Sequence, residues 1–171
     1  MAMDTDYAAT YTITDVINNS ADVQSTAVDN TGMSQGALYN QLNSIITNWN
    51  LTMTKIEADD ATTTTYTPDN AYTTLASRGI ELNGIHQKDL YDTFADIVTK
   101  FNAVLALLDA DGGVTKTNYA ATVNALGTAS ALALPATVSG KGISQEDIVE
   151  FLDDYITKYN GLLAHLDTDG S

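Results

Sequence analysis

The residues with chemical potential sit in two acidic phrases, Asp109-Ala110-Asp111-Gly112-Gly113 and Asp167-Thr168-Asp169-Gly170, where alternate carboxylates precede glycine as in the start of a calcium loop. An EF-hand counted from Asp109 needs Gly at its sixth position and Glu at its twelfth, where this chain has Val114 and Ala120. That match fails, and turns in which the Asp side chains accept following backbone N–H groups are the simpler use of the cluster. His86 and His165 lack a Ser/His/Asp or HExxH constellation and read as a helix cap and a surface residue. Asp59/Asp60 and Asp153/Asp154 are adjacent, so on a helix they point about 100° apart and do not make a facing acid and base. Asn50, Asn102 and Asn160 each follow an aromatic residue: Trp49, Phe101 and Tyr159. The amides could bind a ligand and the rings could form a sugar platform. Their recurrence suits architecture better, with the rings packed in a core and three Asn at one level satisfying one another and setting register. No catalytic, cofactor-binding or metal-binding residue is expected.

These residues recur because the chain repeats itself. Segments beginning at Gly32, Gly84 and Gly142 align without gaps, sharing Gln35, Gln87 and Gln145 and then Thr47-Trp49-Asn50, Thr99-Phe101-Asn102 and Thr157-Tyr159-Asn160. Apolar residues fall at helical steps in each copy: Leu38, Leu42, Ile45, Trp49, Met53, Ile56, then Leu90, Phe94, Ile97, Phe101, Leu105, Leu108, then Ile148, Leu152, Tyr155, Tyr159, Leu163, Leu166. Each copy predicts an amphipathic helix of about 24 residues, about 36 Å long. Ser34 and Ser144 are placed as N-caps, His86 stands at the same position in the second copy, and Gly112 and Gly170 mark stops. The glutamines, in the first turn of each helix, are expected to bind nearby backbone. The expected fold is mainly α: a bundle of three long amphipathic helices in internal repeats, joined by extended or short-helix linkers.

Linkers repeat too: "TDYAAT" from Thr5 echoes "TNYAAT" from Thr117. The repeat is therefore cut out of phase, as a single repeat domain over 1–171 with a partial repeat tail at 1–31, repeats at 32–83 and 84–141, and a partial repeat at 142–171. Tyr7 and Tyr11 are expected to complete the third repeat, either within one molecule, as a pseudo-threefold bundle, or head-to-tail between molecules. Closure within one molecule is the leading expectation. Three parallel helices with returning linkers are sterically possible, and an up-down-up order is the alternative.

Composition narrows the function classes. In 171 residues, 44% hydrophobic, 22 acidic side chains face 7 basic ones, for a net charge of -15. Such a field repels phosphate backbones and anionic headgroups, so neither nucleic acid nor a membrane is an expected partner. Without Cys there is no disulfide framework. The acidic start and the lack of a long apolar run read as a soluble protein with no secretory signal.

The phrase "LLDADGGVTKTNYAAT" (Leu107 to Thr122), with its echoes "HLDTDGS" and "DTDYAAT", resembles a helix-plus-LDADxGVTxTxYAAT segment of tailed-bacteriophage virion structural proteins. The first copy, "KIEADDATTTTYT", departs by losing the Gly. The resemblance implies a non-enzymatic component of a phage particle (capsid decoration, head fibre, or neck or tail accessory) located in the virion after assembly in the host cytoplasm. It would contact other virion structural proteins, as a homo-oligomer or in multiple copies, without a cofactor. The alternative is a receptor- or glycan-binding module on the particle surface, which exposed linker aromatics (Tyr11, Tyr66, Tyr72) would favour.

Overall fold

The computed structural model describes residues 6–11, 13, 34–59, 66–67, 69–82, 84–111, 119, 123 and 143–169. Among these the protein is a mainly α bundle: α1 (Tyr7–Tyr11), then three long helices, α2 (Gln35–Asp59), α3 (Gln87–Ala110) and α4 (Gln145–Asp169). The long helices begin at the three repeated glutamines.

Their starts follow from local chemistry. Ser34 Oγ accepts the Ala37 N–H at 3.1 Å, an N-cap. At α4 the cap is reciprocal, Ser144 Oγ accepting from Asp147 N (3.0 Å) and Asp147 Oδ2 from Ser144 N (3.2 Å). His86 has N-cap geometry at α3 but makes no side-chain cap bond. The stops expected at Gly112 and Gly170 lie outside the described residues; α3 ends at Asp111, whose N–H bonds Leu108 O.

The apolar stripes of all three helices are buried in one core. Trp49, Phe101 and Tyr159 meet at one level, with Trp49 5.3 Å from Phe101 and 6.3 Å from Tyr159 between ring centroids. Nearer the helix starts, Phe94 stacks on Phe151 at 4.0 Å. Trp49 also stacks on the linker ring of Tyr72 at 4.5 Å and donates from Nε1 to Asn70 O at 2.8 Å. Its indole therefore has both a packed face and a satisfied N–H.

Equal levels on three helices meet, so the helices run parallel, not up-down-up. Parallel neighbours need a connection that travels back the length of the bundle. The segment after α2 does this in the seam between α2 and α3. Tyr66 lies against the C-terminal ends, Tyr72 against Asn50, and Thr73 N donates to Asp96 of α3 at 3.0 Å. A single 3₁₀ turn (Ala76–Arg78) closes on Gly79, whose φ of 72° is left-handed backbone that suits glycine. Ile85 N then reaches Gln35 Oε1 at 3.2 Å, beside the first turn of α2.

Asp96 ties this return to α3. It accepts from Lys100 (2.9 Å) and Arg78 (3.0 Å) as well as Thr73. Burial pushes its carboxyl up, but the Thr73 N–H and the two cations outweigh that and hold its pKa below the ordinary value.

Candidate functional site

The repeated polar residues converge on the three seams of the bundle, not on one pocket. Glu57, Asp109 and Asp167 each stand 22 residues after Gln35, Gln87 and Gln145. Each carboxylate accepts the backbone N–H of a linker tyrosine. Glu57 Oε2 takes Tyr66 N and Thr67 N, both at 2.7 Å, Asp109 Oδ1 takes Tyr119 N at 2.5 Å, and Asp167 takes Tyr7 N (2.6 Å) and Ala8 N (3.0 Å).

The phenol of each tyrosine then crosses to the next helix. Two residues beyond the first set of acids stand Asp59, Asp111 and Asp169. Tyr66 donates to Asp111 Oδ2 at 2.8 Å, Tyr119 to Asp169 Oδ2 at 3.0 Å, and Tyr7 to Asp59 Oδ2 at 2.6 Å. Each tyrosine thus staples its own helix to its neighbour: α2 to α3, α3 to α4, and α4 to α2. The third staple closes the ring within one chain, with α1 packed against both α4 and α2.

These acids sit where the macrodipole of their own helix disfavours negative charge. The donors they accept offset that cost. Asp167 in particular lies at the start of α1, so it caps one helix N-terminus while belonging to the last turn of another. Tyr119 N reaches Asp109 from ten residues beyond it, while residues 112–118 and 170–171, where the local turns expected from the sequence would form, lie outside the described residues.

Two of the tyrosine rings meet side chains that stand 20 residues after Gln35 and Gln145. Lys55 Nζ lies 4.9 Å from the Tyr7 ring centroid, within reach of a cation–π attraction, and pairs with Asp6 at 2.9 Å. His165 meets Tyr119 edge-on at 4.5 Å. His165 is thus part of a seam and not a plain surface residue. Burial, with the Asp169 carboxylate second, pushes the Tyr119 phenol well up, which keeps it a proton donor.

Halfway down the bundle Asn50 and Asn160 bind linker backbone and not each other, which differs from the sequence expectation. Asn50 accepts Tyr72 N (2.7 Å) and donates to Tyr72 O (3.1 Å); Asn160 does the same with Ile13 N (3.1 Å) and O (3.0 Å). The reason is angular. Trp49 and Tyr159 point to the bundle axis, and one residue later the helix has turned about 100°, off the axis and into the seam. There the amide imitates a strand edge for the passing linker. Both partners lie six residues after a stapling tyrosine.

At the N-terminal end, Gln35 accepts Ile85 N and Gln87 accepts Ile143 N at 2.6 Å. Each glutamine holds the residue two before the start of the next helix. The Gln145 side chain lies outside the described residues.

Tyr7 is fully buried, and Tyr11, 6.5 Å from it, is half-buried against the same core. Tyr66 was not recognised from sequence as the third member of the set, although it occupies the place of Tyr7 and Tyr119. The signal was an acid-x-acid helix end followed nine or ten residues later by Tyr. Among the described residues no group of three His, Cys, Asp or Glu could hold a metal ion. Chelator treatment is expected to leave the melting temperature unchanged, and a drop of several degrees would show a structural cation.

Acid should loosen the seams. The Thr67 N–H, with Tyr66 N–H and the Thr67 hydroxyl, holds the Glu57 carboxyl below its usual value against some desolvation, as Thr73, Lys100 and Arg78 do for Asp96. A carboxyl lowered in the folded state stabilises above its unfolded pKa, near 4, and that contribution is lost as pH falls through the folded value. The melting temperature is expected to fall between pH 5 and pH 3. Asp96→Asn should be less stable at pH 7 and should flatten part of this dependence; an unchanged slope would remove Asp96 from the account.

No protein-family model, no curated protein and no solved structure matches the chain.

Proposed function

We propose that this protein is a non-enzymatic structural component of a phage particle, acting through protein–protein contacts in multiple copies within the virion. The observation that carries the reading is what the resembling phrase does here. In "LLDADGGVTKTNYAAT", Asp109 and Tyr119 form one end of a staple, and Asp111 receives the next tyrosine. A segment that resembles one of virion proteins is then a device for closing helical repeats, which suits a part whose task is to hold shape.

Two further features support it. The repeated acids, tyrosines and asparagines with described partners hold linker to helix, which leaves them unavailable as an acid–base pair. Tyr66 and Tyr72, which a glycan platform would expose, are buried. The net charge of -15 disfavours phosphate-rich partners, and no helix among the described residues is long and apolar enough to cross a membrane.

The test is mass spectrometry of gradient-purified particles from a host producing the chain, followed by a density map. The proposal expects stoichiometric incorporation and a three-helix density against other particle subunits. Absence from particles at every stage of purification would refute it.

A further inference from the structure

The seam between α4 and α2 is a peptide-binding cradle whose ligand, residues 6–13, meets it only through residues distant in sequence. The contacts are Lys55 with Asp6, Asp59 with the Tyr7 hydroxyl, Asp167 with the N–H groups of Tyr7 and Ala8, and Asn160 with both backbone groups of Ile13. We propose that this cradle takes residues 6–13 from a second copy of the chain as well as from its own, so that copies join by exchanging this segment.

Three observations point to that occupant. First, the recognition is specific for this segment: a buried tyrosine, an acid facing Lys55 and two backbone N–H groups facing a carboxylate. A second copy supplies all of them unchanged. Second, the stretch 14–33 between Ile13 and Ser34 has 20 residues, whose steps from Ile13 to Ser34 can reach about 69 Å when extended. Within one molecule it need cover only the fifteen-residue rise from Asn160 to the start of α4, about 23 Å. That length spans to a neighbour as readily as to the home seam. Third, a segment joined to its own cradle through 20 residues competes with a second copy at an effective concentration on the order of millimolar. The home segment therefore prevails in dilute solution, and exchange prevails where copies are crowded. The inference does not depend on the phage reading.

The Cys-free chain makes the test direct. One population carries Asp6→Cys, another Lys55→Cys, and a third, as a control at the opposite end of the bundle, Lys88→Cys. Pairs are mixed at about 10 μM and about 2 mM, equilibrated, and treated with a short bis-maleimide. Exchange predicts a 6-to-55 crosslink between chains that rises with concentration, exceeds the 6-to-88 yield at least tenfold, and disappears when the Asp6→Cys chain also carries Tyr7→Ala. Equal yields for the two pairs would overturn the proposal. A second variant removes residues 17–31, leaving five residues between Ile13 and Ser34. These span about 20 Å, too short to reach the home cradle. Light scattering should show dimers or larger species that revert to monomers with Tyr7→Ala. A folded monomer without Tyr7-dependent association would contradict it.

Discussion

Raising the pH from 10 to 11 should lower the stability of this protein, because four buried tyrosines keep in the folded chain the protons that the unfolded chain gives up. Burial pushes the phenols of Tyr72, Tyr119, Tyr155 and Tyr159 upward from their ordinary value near 10. The phenols of Tyr155 and Tyr159 add to the effect at Tyr72, that of Tyr159 adds to it at Tyr155 while that of Tyr72 works against it, and the Asp169 carboxylate adds to it at Tyr119. The sign follows from proton counts. Above pH 10 the unfolded chain releases these protons while the folded chain retains them, so the unfolded state binds fewer protons and stability falls as pH rises. A phenol that stays protonated in the folded chain through that unit contributes about 1 kcal/mol. Tyrosinate absorbance and helical ellipticity, recorded together, should therefore change in one cooperative step above pH 10. A gradual titration centred at pH 10 with the helices intact would show that these rings are solvated.

Replacing Trp49 by Ala should cost about 3–5 kcal/mol, the usual range for deleting a buried aromatic. Its ring packs against those of Tyr72, Phe101 and Tyr159. The substitution also strips the Asn70 carbonyl of its indole donor, a buried acceptor worth about 1 kcal/mol. Trp49→Phe should retain most of the packing and lose chiefly the hydrogen bond. Chemical denaturation monitored by helical signal measures both. A loss below about 1 kcal/mol for Trp49→Ala would mean that the stripe faces something other than this core.

The three helices and their shared face were legible because a 3.6-residue period and a gapless repeat leave little choice about which side chains go inside. The level of Trp49, Phe101 and Tyr159 was legible for the same reason. What the recurring polar residues do was not. Asn50 and Asn160 bind linker backbone at Tyr72 and Ile13, and a contact with backbone leaves no pattern in the partner's side chain. The staples were half visible: Tyr7 and Tyr119 share "YAAT", whereas Tyr66 is followed by Thr67 and Pro68. Only the acid-x-acid column, read together with the spacing to Tyr, unites the three. The direction of the helices depended on linker path, and residues such as Tyr66 and Tyr72 advertise burial only once the seam they fill is known.

In the closed ring α1 completes the third seam as the other linkers complete theirs. Amide hydrogen exchange at Tyr7 and Ala8, in dilute protein where one chain meets few others, is the sharpest check on that closure. Both N–H groups are held by Asp167, so their exchange should be slowed at least about a hundredfold, equivalent to about 3 kcal/mol of local opening free energy. Asp167→Ala should remove most of that protection while leaving the amides of Tyr66 and Tyr119 slow. Exchange of Tyr7 and Ala8 at the rate of an unstructured chain, with Tyr66 and Tyr119 still protected, would contradict the closed ring.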